Sequence, residues 1–462
     1  MARTTIPALF VLGAAAVGSA SAQELQPFMG EPISGLTPAE LALFDAGREA
    51  YGAPLQEADG LGPIFNEVSC GSCHNLPAIG GHGARLVTRF GVAAAAGSPF
   101  DPLDNLGGSL LQDQSIDLMC REVVPPQATV TAQRATPTNF GAGLLGAIDD
   151  ADIIALANNQ PAGLNGMVRM NQPLEDPSGP MRAGRFGWKG GVSTVLTFSI
   201  DAALNEVGLT STFLPNENAP NGDQVLLAQC DTVPDPEDQP DAQGFTFVDR
   251  ITHFQQWLAP PPQMPTSGHA GEAVFTAVGC ADCHTPSFTT SATAPGPLAN
   301  QLVRPYSDFL LHDMGSLGDQ IVDGVATENL MMTRPLWGLA IRDSFLHDAR
   351  AGGAAFADNI DFAVNEHGVE GSASRTAYQA LSAADRDSLI AFLQTLGRGE
   401  FDFEADNDLD EFDWFFIEPL LNGPAPATPH APEDPGAQCD VDQDGDFDIR
   451  EFGLVQRVWT GQ

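Results

Sequence analysis

Cys70-Gly71-Ser72-Cys73-His74 recurs later in the same 462-residue chain as Cys280-Ala281-Asp282-Cys283-His284. Both stretches fit C-x-x-C-H. Two thiols about one helical turn apart reach the two vinyl groups of a haem, and the adjacent histidine then serves as an axial iron ligand. A single match would also fit a zinc site or a redox dithiol. Two matches in one chain point to two covalently attached haem c groups, on Cys70, Cys73 and His74 and on Cys280, Cys283 and His284. Each match follows a segment that reads as a short amphipathic helix with a phenylalanine, Phe65 and Phe275. The expected fold is mostly α: two cytochrome c-like haem domains with irregular, loop-rich insertions.

Working outward, Thr37-Pro38 reads as an N-cap and first-turn proline opening a helix to Tyr51. Residues 81–244 are rich in Gly, Pro, Asn and short apolar runs, as expected of loops with short helices and strands. Phe245 to Leu258 reads as helix, and Pro260-Pro261-Pro262 stops it and marks a boundary. Ser382-Ala-Ala-Asp385 resembles a capping box opening a helix with Leu389, Ile390, Phe392, Leu393 and Leu396 on its apolar face and Gly397 at its end. At the N-terminus, Arg3, the apolar stretch Ile6 to Val17 and Ala20-Ser21-Ala22 read as a cleaved signal peptide. The expected division is 1–22 signal peptide, 23–259 N-terminal haem domain, 260–400 C-terminal haem domain and 401–462 an acidic module. A periplasmic, extracellular or cell-surface location follows, with no membrane span after the signal is removed.

The chain has 60 acidic and 20 basic residues, a net charge of −40, and Lys189 is its one lysine. Such a charge repels nucleic acid and anionic membranes. Beyond the two motifs, Cys120, Cys230 and Cys439 remain, enough for one further disulfide, with Cys120–Cys230 the expected pair.

Asp440-Val-Asp442-Gln-Asp444-Gly445-Asp446-Phe-Asp448-Ile-Arg-Glu451 fits a twelve-residue calcium loop, with oxygens at positions 1, 3, 5, 9 and 12 and a turn glycine at 6. A weaker copy holds Asp402, Glu404, Asp406, Asp408 and Asp413, with Asn407 at the turn. Each loop precedes a short apolar helix, Trp414 to Leu421 and Phe452 to Trp459. Loop plus helix, twice, resembles an EF-hand or dockerin-type module, which implies bound Ca2+ and a cohesin-like or surface partner.

The blocks at 60–74, NFGAGLLGAIDDADIIALA (139–157), GRFGWK (184–189), NEVGLTSTFLPNE (205–217), YSDFLLHDMG (306–315) and TRPLWGLAIRDSFLHDAR (333–350) resemble the bacterial di-haem oxidoreductases, described as peroxidases or thiol oxidoreductases. The resemblance runs from about Gly60 to Gly397. It extends more distantly to di-haem cytochrome c peroxidases and to the enzyme that matures the tryptophan-derived cofactor of methylamine dehydrogenase. It implies a peroxidase-like enzyme in which the N-terminal haem reacts with peroxide. The C-terminal haem would pass electrons from a donor such as a small c-type cytochrome or a cupredoxin. His367 is its implied second ligand for the C-terminal haem, with His347 and His312 as alternatives and Met314 after them. His347-Asp348 is otherwise implied to support the haem by hydrogen bonding. Glu206 is the implied acid–base group at the open site, and Trp188 and Trp337 are candidates for an electron path between the haems. His82, His253, His269 and His430 carry no assigned role. Two departures stand out: Ala349 replaces a glycine that often follows the His-Asp pair, and residues 158–169 are degenerate. The competing readings are a di-haem electron-transfer cytochrome without peroxidase activity, a surface-anchored redox protein, and oxygen chemistry of the kind seen in di-haem rubber oxygenases.

Overall fold

The computed structural model describes residues 25–95, 98–423 and 430–460. The signal-peptide reading of residues 1–22 and part of the Pro/Ala-rich linker lie outside them.

Thr37 and Glu40 cap each other's backbone N–H groups, and with Pro38 in the first turn they start the helix Pro38–Gly52. This helix crosses a second one, Phe247–Trp257. Phe254 lies 5.2 Å from Phe44 and 4.9 Å from Tyr51, ring centroid to centroid. The approach is close enough that a Cβ on Gly47 would come within 2.4 Å of the Arg250 carbonyl oxygen. Burying Phe44 and Phe254 completely stabilises the crossing by about 1.5–3 kcal/mol each.

The same arrangement recurs around the second motif. The helix Ala270–Ala277 crosses Ala383–Leu393, a Cβ on Gly271 would meet the Ser388 carbonyl oxygen at 2.0 Å, and Phe275, Tyr306 and Phe392 form an aromatic cluster. In both cases the crossing helix precedes a Cys-x-x-Cys-His segment.

Several expectations change. Phe65 sits in a two-residue strand, Ile64–Phe65, paired antiparallel with Gln114–Ser115, not in a helix. Gly62, at φ 44°, and Pro63 place an extended turn there, so only Cys70–Cys73 winds into helix, capped by Ser69. The Ala383–Leu393 helix stops short of Gly397, because Leu396 leaves it to bridge to Gln263. The 81–244 stretch is more regular than expected. It holds the strand Gly83–Gly91, paired antiparallel with Val130–Thr136, and the 13-residue helix Val195–Val207, stopped by Gly208 at φ 75°.

Helices are joined by six two-stranded ladders among the described residues. The largest core takes residues from both sides of Pro260–Pro262, from Met29 through Phe254 to Phe309 and Trp337. Cys120 and Cys230 are disulfide-bonded, as expected. At the C-terminal end, Phe401, Leu409 and Ile417 pack against Cys439, Phe447 and Val455, their counterparts at one constant offset. The helices are Glu411–Ile417 and Ile449–Val458, each beginning a few residues earlier than expected because Asp410 and Asp448 cap them. Leu25 and Phe28 pack on this small core. No helix among the described residues is long and apolar enough to cross a membrane.

Candidate functional site

The two motifs share a local geometry. His74 N–H donates to the Cys70 carbonyl at 3.0 Å and His284 N–H to that of Cys280 at 2.9 Å. Each ring then engages a backbone carbonyl through Nδ1: His74 with Gly81 at 2.9 Å, His284 with Tyr306 at 3.0 Å. That bond fixes the tautomer and leaves Nε2 for a metal. Burial pulls both imidazoles down to about 4, so both are neutral ligand forms at ordinary pH. Burial pushes the thiols of Cys70, Cys73 and Cys280 up to about 12, unlike the low-pKa thiolates of redox dithiols.

The second motif opens on a cavity of about 440 Å³, within the size range of small-molecule and cofactor sites. Cys280, Cys283 and His284 line it together with His312, Met314, His347 and His367. His367 follows the helix Phe356–Glu366, and its Nδ1 bonds the Ala363 carbonyl at 2.8 Å, again leaving Nε2. His312 differs. Its Nε2 bonds Asp308 and its Nδ1 bonds Glu370, both at 2.9 Å, so both ring nitrogens are engaged by carboxylates. Burial opposes its charge, but Asp308 and Cys283 outweigh burial and push it up to about 11. His347 is buried, 3.9 Å from Asp348 and 6.3 Å from the Trp188 ring. The donor set and the cavity fit a haem.

Around the first motif the neighbour is a carboxylate. Glu206, near the end of Val195–Val207, accepts from Asn66 Nδ2 at 2.7 Å through Oε2, and its carbonyl accepts from the Asn66 and Glu67 N–H groups. It lies close enough to Cys70 and Cys73 to raise both thiols. Burial holds Glu206 itself above the usual carboxylate range, Asn66 and Arg89 pulling the other way. Asn139 ties the site to the first helix crossing: its Nδ2 donates to the Tyr51 hydroxyl at 2.6 Å. Asn139 also lines a narrow cleft of about 10 Å³ together with Trp337, Arg334 and Arg342. Trp188 lines the large cavity and donates from Nε1 to the Ala135 carbonyl at 2.9 Å. Asn66, Asn139, Arg334 and Arg342 had no role expected from sequence; the arginines fall in a quoted block, but nothing local marks them as lining a cavity. Ala349, where a glycine was expected, takes φ 60°.

In the acidic module, Asp440, Asp442 and Asp444 cluster, as do Asp446, Asp448 and Glu451. Asp440 Oδ1 and Glu451 Oε1 are buried without a hydrogen-bond partner. Gly445, at φ 94°, donates to Asp440 Oδ2, and Arg450 reaches Asp442 and Asp444. In the other loop Glu404, Asp410 and Asp413 cluster. Burial raises Asp402 to about 7, with Asp413 adding to it. Asp406 donates its N–H to Asp402, and Asp408 Oδ1 is buried and unpartnered. Asn407, at φ 72° in place of glycine, exchanges two hydrogen bonds with the Met29 backbone.

The profile of a family described as "di-haem oxidoreductase, putative peroxidase" matches residues 114–396, which include the second motif but begin after the first. No curated protein matches the sequence. Among solved structures, a chain of hydrazine synthase from Kuenenia stuttgartiensis is 12% identical, covering 84% of this chain and 100% of that one, with a TM-score of 0.34. A MauG-like protein associated with microbial copper homeostasis is also 12% identical, covering 81% and 93%, with a TM-score of 0.35.

Proposed function

The chain belongs to the di-haem oxidoreductase family, and from that premise we propose that it is an exported, peroxidase-like enzyme with two covalently attached haems of different duty. The observation that carries the division is an asymmetry. The C-terminal motif has a second imidazole, His367, lining its cavity, whereas the N-terminal motif has a carboxylate, Glu206, beside its cysteines.

Bound haem supplies a redox-active iron that takes electrons singly and, where one coordination position is open, accepts peroxide. Cys70 and Cys73 would hold the first haem by thioether bonds and Cys280 and Cys283 the second. His74 and His284 would hold the irons through Nε2. His367 would be a second ligand at the C-terminal site, which would suit that site to electron transfer, with His347 and Asp348 supporting it. Glu206 does the proton work at the first. Asn66 holds Oε2, so Oε1 takes a proton from peroxide and returns it to the departing oxygen, general acid–base work worth about 10²–10⁴-fold. Trp188 and Trp337 stand on the walls of the large cavity and the narrow cleft and carry electrons between the two sites. The donor is a small c-type cytochrome or a cupredoxin.

The acidic module, residues 401–462, binds Ca2+ through Asp440, Asp442, Asp444, Asp446, Asp448 and Glu451, and through Asp402, Glu404, Asp406, Asp408 and Asp413. The buried, unpartnered Asp440 Oδ1 and Glu451 Oε1 support this reading, because a hard cation compensates such oxygens. Exposed Phe412, Phe415 and Ile449 support a docking role toward a cohesin-like or surface partner. Loss of cell-surface retention on deleting 401–462 is the expected result, and unchanged retention overturns that role.

The test of the main reading is peroxide turnover by the purified holoprotein with a reduced small cytochrome as donor. Turnover is expected, and it should fall with Glu206→Gln while both haems stay attached. A holoprotein that exchanges electrons with the donor but leaves peroxide unconsumed is an electron carrier and contradicts the proposal.

A further inference from the structure

Arg334 and Arg342 are half-buried cations that line both the large cavity and the narrow cleft of this fold. Several enclosed basic groups are paired with acids, although Arg89 and Arg398 also lack an ion pair among the described residues. Arg134 and Lys189 share Asp319, at 2.6 and 3.0 Å. Arg185 is held by Asp150, and Arg250 by Asp241. Arg334 and Arg342 make no ion pair among the described residues, in a chain with 60 acidic side chains to choose from. Arg334 has one hydrogen bond, from Nη1 to the Gly187 carbonyl at 3.2 Å, and lies 5.6 Å from the Trp188 ring centroid. Burial lowers His82, and Arg342 is close enough to add to that, as does His74 of the first motif. The two guanidiniums also repel each other.

Their position gives the reason. Arg334, Pro335 and Arg342 line both the large cavity beside Cys280 and His284 and the narrow cleft that Asn139 shares. The two half-buried guanidiniums pair with no acid of this chain among the described residues, and they are placed where a ligand's acid would meet them. The missing partner is an anion with planar, bidentate acceptors, which is what a guanidinium fork recognises. A haem carries two propionate carboxylates.

We infer that Arg334 and Arg342 bind haem propionates, tying both redox centres to one short segment, residues 333–342, that forms the wall between them. This rests on the di-haem reading above. Arg334, beside Trp188, serves the C-terminal haem. Arg342, within reach of His82 and of the large cavity, serves both.

The inference makes the arginines positioning and tuning groups with a redox signature. Reduction adds one negative charge to a haem, and a fixed cation next to its propionate favours that state. Replacing the cation by a neutral amide therefore lowers the reduction potential. The experiment is a spectroelectrochemical titration of the purified holoprotein and of R334Q and R342Q, with haem stoichiometry checked by intact mass. The expected result is a shift against reduction of about tenfold in the equilibrium constant, which is 59 mV for one electron. R334Q should move the C-terminal haem and R342Q both. Potentials that stay in place in both glutamine variants, with two haems still attached, overturn the inference. A potential that moves only on adding acetate assigns the arginines to a diffusible carboxylate and overturns it too. Should a glutamine variant fail to retain haem, R334K and R342K keep the charge but lose the fork. The propionate-bending band in their resonance Raman spectra is then expected to shift with little change in potential, and bands identical to wild type overturn the inference. Wild-type protein with no haem on it at all refutes the di-haem reading itself, a distinct outcome from two haems with unmoved potentials.

Discussion

Glu206 shows what one residue's surroundings do to its chemistry. Burial raises its pKa, while Asn66 and Arg89 limit the rise. A base works only after losing its proton, so a raised pKa moves the acidic limb of the activity profile upward. Peroxide turnover should therefore climb with pH through a value above the usual carboxylate range. Glu206→Gln should cut kcat/KM by about 10²–10⁴-fold and remove that limb, as steady-state rates across pH will show. An unchanged limb in the variant would assign it to another group. Ala349 makes a prediction of a different kind. It occupies left-handed backbone at φ 60°, where a side chain costs about 1–2 kcal/mol. Ala349→Gly relieves that cost and gives back part of it as unfolded-chain entropy. The expected outcome is a Tm increase corresponding to less than about 1 kcal/mol, measured by calorimetry of the holoprotein.

At the scale of elements, the two helix crossings hold the motifs in place. Gly47 and Gly271 sit where each pair of helices comes closest, with backbone oxygens 2.4 and 2.0 Å from where a Cβ would be. Gly47→Ala forces the helix Pro38–Gly52 away from Phe247–Trp257 and should cost about 1–3 kcal/mol by denaturant unfolding. A variant as stable as wild type would mean the crossing is looser than described. The crossing helices were largely legible in sequence, because Thr37-Pro38, Ser382 to Asp385 and the three prolines at 260–262 are local signals. The strand at Phe65 was not: its pairing with Gln114–Ser115 is a nonlocal contact, and a two-residue strand has no period to read. The pairing of His312 with Glu370 escaped for the same reason.

For the whole molecule, the acidic module is fastened by the segment just ahead of the first helix. Met29 meets Asn407, Gln26 meets Glu400, and Leu25 and Phe28 enter the module's core. Cation binding there should stabilise more than the module alone. Removing Ca2+ with a chelator is expected to lower the Tm of the holoprotein, with Asp440→Asn doing the same in the presence of Ca2+ and abolishing the further effect of chelation at that loop. A Tm indifferent to the chelator would leave the orphaned oxygens of Asp440 and Glu451 unexplained. The turn glycine and spaced aspartates made this loop readable from its own twelve residues, whereas the role of Asn407 depended on a residue hundreds of positions earlier. The cysteine motifs were readable for the same local reason. The place of Arg334 and Arg342 was not, because lining both the cavity and the cleft with no ion pair among the described residues is a property of the folded chain alone. The central claim is that two haems sit in one chain with different coordination, one open and one closed. Low-temperature EPR of the oxidised holoprotein, before and after peroxide, tests it most directly. One high-spin ferric signal that peroxide removes, beside one low-spin signal that persists, is the predicted result; two low-spin signals that ignore peroxide would contradict it.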